Sequence, residues 1–306
     1  MNDSTALVWL SSIQALTGKN LEKLLAAFPE PGALWDEPNL ALRVLGARAM
    51  AALKAAHSEA YVDDLLCALE EKNVRALTLL DDDYPSRLRA IDDAPLVLYL
   101  RGALPGLTRA AAIVGTRKST VDGRLTAEHM ARELAEGGVA VVSGLAEGVD
   151  AAAHQGCLDA GGQTIAVLGC AIDGCYPPEN RALLERILDE GGCVLSEHAP
   201  GVKTRAYHFA WRNRIISGLS QAVIVVEAGE KSGALITARY ARQQSRELFA
   251  VPGSIYSQAN RGSNRLLVCE AHAALSAGEV FAQMSWRHDA PAPAQAEELE
   301  LDAQSR

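Results

Sequence analysis

The sequence predicts an α/β protein: a parallel sheet with helices on both faces, preceded by a small helical module. Three observations carry this expectation. Short apolar runs at 110–114, 139–142, 164–168, 193–195, 222–226 and 247–251 alternate with longer helix-like segments. The runs are continuously apolar rather than alternating, so both faces of each strand are buried, as in a sheet covered by crossover helices. Aromatic residues make up only 5% of the chain, and the abundance of Ala, Val, Leu and Gly suits α/β layers better than a β-sandwich.

The elements follow in order. Residues 5–53 read as short helices broken by Gly18, by Pro29-Glu30-Pro31-Gly32 and by Pro38, because Pro and Gly interrupt helical spacing. A longer amphipathic helix is expected over 57–72, with Tyr61, Leu65, Leu66 and Leu69 on one face. Residues 75–80 form the first strand, and the regular strand–helix alternation begins beyond it. From Ser285 the composition turns to Ala, Pro, Gln and Glu, which reads as a disordered tail. The expected division is therefore a helical module over 1–56, an α/β domain over 57–284 and a tail over 285–306.

The chain has 306 residues, 49% of them hydrophobic, and a formal net charge of −9. No apolar run approaches the ~20 residues that span a bilayer, and Met1-Asn2-Asp3-Ser4-Thr5 lacks the basic start of a signal peptide. Six cysteines (Cys67, Cys157, Cys170, Cys175, Cys193, Cys269) lack the paired short spacing of a zinc site or disulfide framework. A cytoplasmic protein without metal, cofactor or membrane contact is expected. The acidic balance is uneven, however. Neither 94–121 nor 199–226 contains a single Asp or Glu, while the two stretches carry Arg101, Arg109, Arg117, Lys118, Lys203, Arg205, Arg212 and Arg214. Local field, rather than net charge, decides where an anion docks.

The strand-to-helix loops hold the polar residues, where ligands of such sheets bind. Arg212, Asn213 and Arg214 head an apolar helical run leading into the strand at 222–226; two guanidiniums and an amide there suit phosphate oxygens or a base edge. Gly115 ends a strand and lets backbone approach a ligand, with Arg117 and Lys118 beyond it. Ser143, Gly144 and Gly148 lie at a strand–helix crossing whose amides and helix dipole favour an anion. Asp150 reads as the N-cap of that helix and His154 as its neighbour one turn on. Cys170 and Cys175 read as structural, in a loop that ends at Pro177 and Pro178. Ser232 and Gly233 open another helix with Thr237 one turn in, and Asn260-Arg261-Gly262-Ser263-Asn264-Arg265 opens the last. Neither Gly-x-Gly-x-x-Gly nor a Walker lysine pattern occurs, so a dinucleotide or ATP site is not expected.

These motifs, in this order, resemble the DprA/Smf family of bacterial DNA-processing proteins. The match runs from Asp83-Tyr84-Pro85-Ser86-Arg87-Leu88 through Gly115-Thr116-Arg117, Ser143-Gly144-Leu145-Ala146-Glu147-Gly148-Val149-Asp150, Arg212-Asn213-Arg214 and Ser232-Gly233 to Val251-Pro252-Gly253 and Gly262-Ser263-Asn264. The resemblance implies an extended Rossmann-like fold behind a SAM-like or helix-hairpin-helix module. It further implies binding of single-stranded DNA, a homodimer, and loading of RecA onto the strand during natural transformation, with no catalytic role. DNA-binding positions would then be Arg117, Lys118, Ser143, Gly144, Gly148, Lys203, Arg205, Phe209, Arg212, Asn213, Arg214, Ser232 and Gly233. Phe209 or Trp211 would stack a base. Many family members continue into a winged helix; here the acidic tail stands in its place, and no winged helix is expected. Glu270-Ala271 stands where the family usually has Gly-Ala. The contrasting reading is a nucleotide-processing, phosphoribohydrolase-like enzyme using Asp150, His154 or Glu227 as acid or base; the Pro-Gly-Gly-x-Gly-Thr signature of that class is missing. A third is a dimeric scaffold with a vestigial pocket.

Overall fold

The computed structural model describes residues 1–16 and 19–286. The hairpin expected around Gly18 and all but the start of the expected tail lie outside these residues. The N-terminal elements are α1 (Asp3–Ser12), α2 (Lys19–Ala27), α3 (Ala33–Asp36), α4 (Ala47–Ala55) and α5 (Glu59–Glu71). Then come β1 (Arg75–Thr78), the single-turn α6 (Ser86–Arg89), β2 (Val97–Gly102), β3 (Ala110–Val114), α7 (Val121–Glu136), β4 (Ala140–Ser143), α8 (Val149–Asp159) and β5 (Thr164–Leu168). The chain continues through α9 (Arg181–Asp189), β6 (Cys193–Ser196), α10 (Ala206–Leu219), β7 (Ala222–Val225), α11 (Ala234–Gln243), β8 (Glu247–Ala250), α12 (Arg261–Cys269), β9 (His272–Ala273) and α13 (Ala277–Gln283).

Nine strands form one sheet in the order β1-β2-β6-β5-β4-β3-β7-β8-β9. The six expected apolar runs are β3 to β8, each within a residue or so of its expected bounds. The pairings from β6 across to β9 are parallel. The expected parallel sheet is therefore present, with an antiparallel edge added to it, where β1–β2 and β2–β6 are antiparallel. Only α6 separates β1 from β2; a single turn cannot carry the chain back along the sheet face, so it reverses and pairs antiparallel.

Both faces are covered, which explains the unbroken apolar strands. Ala110, Ala112 and Val114 of β3 face one core together with Ile215 and Ile216 of α10 and Ala234, Ala238 and Ala241 of α11. The alternate residues Ala111 and Ile113 face a second core built on α7, α8 and α13. A third cluster, with Val97, Tyr99, Ala166 and Leu168, takes Leu7 and Val8 of α1 and Leu69 of α5. The N-terminal helices have their own core around Trp9, Leu10, Leu34 and Leu53, with Val62 of α5. There the indole of Trp9 donates to the Ala56 carbonyl at 2.7 Å and meets Trp35 edge-on at 5.0 Å. On α5, Val62 is buried and Leu66 is exposed, so the buried face is rotated from the expected one.

From β3 the chain steps outward through β4 and β5 to β6, then re-enters on the other side of β3 as β7. The carboxyl ends of β3 and β7 therefore flank the switch point where such sheets open a crevice. The α7–α8 contact holds this half of the sheet. Gly156 of α8 lies so close to α7 that an added Cβ would sit 2.1 Å from the Glu128 carbonyl oxygen and 2.7 Å from its carbon. Backbone cannot yield as a side chain can. Gly156→Ala is expected to lower stability by about 1–3 kcal/mol through overpacking, read as a lower urea midpoint at unchanged m-value.

Candidate nucleic-acid interface

The loops after β3, β4, β7 and the start of α10 enclose a cavity of about 410 Å³, inside the ~300–1,000 Å³ range of small-ligand sites. Gly115, Thr116, Arg117 and Lys118 supply one wall. Phe209, Arg212, Asn213 and Ile216 of α10 supply another, and Ser232, Gly233, Ala234 and Thr237 a third, with Asp150 in the floor. The amino end of α11 thus faces the cavity, directing the positive end of a ten-residue helix dipole into it.

Arg117 and Lys118 are exposed at the mouth. The Arg117 guanidinium lies over the Phe209 ring, 5.6 Å from its centroid. This loop is placed by Gly148, whose φ of +79° is open to glycine. A Cβ at Gly148 would also lie 2.5 Å from the Thr116 carbonyl oxygen. Gly148 therefore acts through backbone: it lets the β4–α8 loop lie against the Arg117 loop.

Arg212 differs from Arg117. Its guanidinium is buried, and one Nη1 donates to the carbonyls of Gly144, at 2.7 Å, and Val167. It bridges the carboxyl ends of β4 and β5 beneath the cavity. Burial pulls its pKa down to about 10, opposed by Asp150. Burial likewise raises the Asp150 carboxyl above its ordinary value, with Arg212 and hydrogen bonds from the Ala146 and Gly144 amides opposing. The Gly144 amide donates to Asp150 at 3.2 Å. The N-cap expectation for Asp150 is thereby corrected: α8 begins at Val149, Gly148 holds the cap position, and Asp150 ties the preceding loop back onto the helix.

The remaining expected positions divide. Asn213 donates to the Gly233 carbonyl at 3.3 Å, joining α10 to the α11 loop. Ser143 is buried and donates to the Ile113 carbonyl at 2.6 Å. Lys203 and Arg205 are exposed in the segment entering α10, with Arg205 at its N-cap. Arg214 points away from the cavity: it pairs with Glu197 at 2.6 Å and Asp93 at 3.5 Å and covers the Trp211 ring at 4.3 Å. Trp211 is thus engaged by Arg214 and is not part of the cavity lining. Glu227 accepts from the Thr120 amide at 2.8 Å and hydroxyl at 3.0 Å, at the amino end of α7. His154 is buried; the Thr164 hydroxyl donates to the Val141 carbonyl, so the imidazole Nδ1 donates to Thr164 at 2.7 Å, leaving Nε2 without a hydrogen-bond partner. Tyr176, 4.9 Å from Phe209 at the cavity's outer edge, was not among the expected site residues. The only signal for it was an aromatic in a strand-end loop.

Comparison with known proteins agrees with this fold. The model of a family described as DNA recombination-mediator protein A matches residues 75–285. The DNA processing protein DprA of Bacillus subtilis is 39% identical over 226 residues, 73% of this chain and 76% of that protein. Among solved structures, DNA processing protein A of Streptococcus pneumoniae superposes with a TM-score of 0.76 at 32% identity, covering 92% of this chain and 99% of that one. DNA processing protein A of Helicobacter pylori, described for its single-stranded DNA binding mode, gives a TM-score of 0.62 at 30% identity over 69% of this chain and 95% of that one.

Two outcomes follow from the buried polar groups. Arg212→Met removes the hydrogen bonds to the Gly144 and Val167 carbonyls and the attraction to Asp150, and a loss of about 1–3 kcal/mol is expected; Arg212→Met with Asp150→Asn recovers part of it in urea unfolding. Burial pushes the His154 pKa from 6.5 down to about 3. Between those values the unfolded chain binds the proton and the folded chain does not, so stability falls as pH drops through the window, by about 1.4 kcal/mol per unit. His198, depressed to about 4, acts in the same direction. His154→Gln should flatten part of the urea-midpoint decline between pH 6.5 and 4.

Proposed function

This chain belongs to the DNA recombination-mediator protein A family, and on that premise we propose that it binds single-stranded DNA at the switch-point cavity and mediates recombination by loading RecA onto the strand, as a homodimer in the cytoplasm during natural transformation. The observation that supports this reading best is the exposed Arg117 guanidinium stacked at 5.6 Å on Phe209, at the mouth of a cavity also faced by a helix amino end. A cation beside an aromatic ring matches the two halves of a nucleotide: the phosphate meets Arg117 and Lys118, and the base meets Phe209 and the apolar wall at Ile216.

The division of labour differs among the expected residues. Arg117, Lys118, Phe209, Ser232 and Gly233 are the proposed contacts, and Lys203 and Arg205 extend the positive surface toward the strand's path. Arg212, Asn213, Ser143, Gly144 and Gly148 shape the cavity through internal hydrogen bonds and close backbone approach. Arg214 holds α10 against Asp93 and Glu197 and supports the site from behind. We assign no catalytic step. The acid–base candidates Asp150, His154 and Glu227 are each committed to fixing a loop, a strand or a helix end. The described residues include no helix long and apolar enough to cross a membrane. The proposed domain division keeps 1–56 as a separate helical module, although α1 also packs on β1 and β2 through Leu7 and Val8.

Binding through phosphates releases counterions, so affinity should fall steeply with salt. Arg117→Ala is expected to weaken oligothymidine binding by about 10- to 100-fold, the range for one hydrogen bond to a charged group, and to reduce the log–log salt slope by about 0.7. Fluorescence anisotropy across a salt series measures both. RecA filament assembly on strands pre-coated with single-strand-binding protein should accelerate with the wild-type chain and not with the variant. Unchanged affinity and slope in Arg117→Ala would overturn the cavity assignment.

A further inference from the structure

Tyr176 lies in the loop after β5, and that loop is pinned along its length. The Ser196 hydroxyl donates to the Cys170 carbonyl at 2.6 Å and the Ile172 amide to the His198 carbonyl at 3.1 Å. Asp173 pairs with Lys72 at 2.5 Å and accepts from the Gly201 amide at 3.0 Å. Beyond the loop, Asn180 donates to the Leu145 carbonyl at 2.9 Å. A loop held this firmly has little entropy left to lose when a ligand docks. Yet it presents Tyr176 with 47% of its surface open to solvent.

The ring's surroundings indicate what this exposed face can do. Its aromatic neighbour is Phe209, with centroids 4.9 Å apart and planes tilted by 45°. Phe209 in turn lies over Gly169, where a Cβ would come within 2.6 Å of the Phe209 Cδ1, so the ring fills the space a side chain would occupy. Arg117 covers Phe209 at 5.6 Å. Arg117, Phe209 and Tyr176 are therefore contiguous, running from the cavity mouth outward. The charges beside Tyr176 are mixed: Glu179 and Arg181 are both exposed, and Arg181 pairs with Glu185 at 3.8 Å. Among the described residues no surplus cation is gathered there for a phosphate, so the open ring is the feature a nucleotide meets, through its base.

We propose that Tyr176 is a base-stacking residue. Its open face takes the nucleobase next to the one received by Phe209 and the cavity, so that a single strand crosses the mouth with two neighbouring bases on two rings. This rests on the cavity reading above and extends it from one base to two. The ligand class follows from the chemistry: the strand must be unpaired, because a base in a duplex has both faces covered, and recognition tolerates any sequence, because every base has a π-face. The phenol oxygen is not required for stacking, so the ring alone carries the effect.

The test uses the full chain with Tyr176→Leu and Tyr176→Phe, binding an oligothymidine that carries one 2-aminopurine, whose fluorescence is quenched by stacking. Wild type and Tyr176→Phe should bind alike and quench at the labelled position. Tyr176→Leu keeps an apolar side chain and loses the π-face; its affinity should fall by about 5- to 100-fold, the range for one base–aromatic stack, with quenching reduced. Thermal melting of each variant accompanies the titrations. If Tyr176→Leu binds and quenches like wild type while Arg117→Ala weakens binding, Tyr176 is not a stacking residue and the cavity reading stands. If Arg117→Ala is also without effect, the cavity reading itself fails. A fully folded Tyr176→Phe that loses quenching would equally overturn the stacking role.

Discussion

The carboxyl edge of the sheet depends on one buried guanidinium. Arg212 reaches from α10 and donates to the carbonyls of Gly144, just past β4, and Val167, near the end of β5, joining the two strands. Its place exists because residue 144 has no side chain; a Cβ there would lie 2.5 Å from the Arg212 Nη atoms. Desolvation acts on both charges of this floor, lowering the Arg212 pKa and raising that of Asp150. Attraction between them offsets burial only in part. A buried charge of this kind costs several kcal/mol unless hydrogen bonds compensate, and here the compensation fixes the ends of two strands and the loop between Gly144 and Asp150. The cavity above is consequently shaped by internal hydrogen bonds, whereas its rim carries the exposed cations Arg117 and Lys118.

The basic segment was legible in the sequence, but the roles within it were not. Arg212 and Arg214 look equivalent as letters. On a helix they are two residues apart, which turns them by about 200°, so one faces the cavity floor and the other faces Asp93 and Glu197 on the far side. An acid-free stretch of sequence said nothing about acids brought in from elsewhere, and Arg214 is neutralised by two of them. Arg117 differs because it sits on a loop, where no helical phase dictates its direction and no carboxylate meets it within ion-pair distance among the described residues. Glu227, a candidate acid or base in the sequence, instead accepts from the amide and hydroxyl of Thr120, the N-cap of α7, a partner more than 100 positions away in the chain.

The fold was more legible than the site because continuous apolar strands encode two-sided burial locally. Ala110 to Val114 needed no knowledge of which helix covers which face. What local pattern did not reveal was direction and pairing. The antiparallel edge of β1 and β2 depends on the single-turn α6 between them, and β9 is two residues long, too short to show any period. Tyr176 escaped for a related reason: its significance lies in a contact with Phe209, 33 positions on, and a lone aromatic in a loop has no spacing to betray it.

The same internal hydrogen bonds bear on what kind of recognition the cavity can support. Reading a base edge requires donors and acceptors that are fixed in place and still free. Asn213 is used by the Gly233 carbonyl, Asp150 by the Gly144 and Ala146 amides, and Arg212 by two strand-end carbonyls. The groups facing the mouth include cations, a helix amino end and an aromatic ring, which contact phosphates and π-faces common to every nucleotide. Under the proposed reading, an unpaired strand would be held by its backbone and by stacking, with little basis for preferring one sequence. The proposed preference would lie between single and double strands, since a duplex withholds the base faces that the rings at Phe209 and Tyr176 would cover.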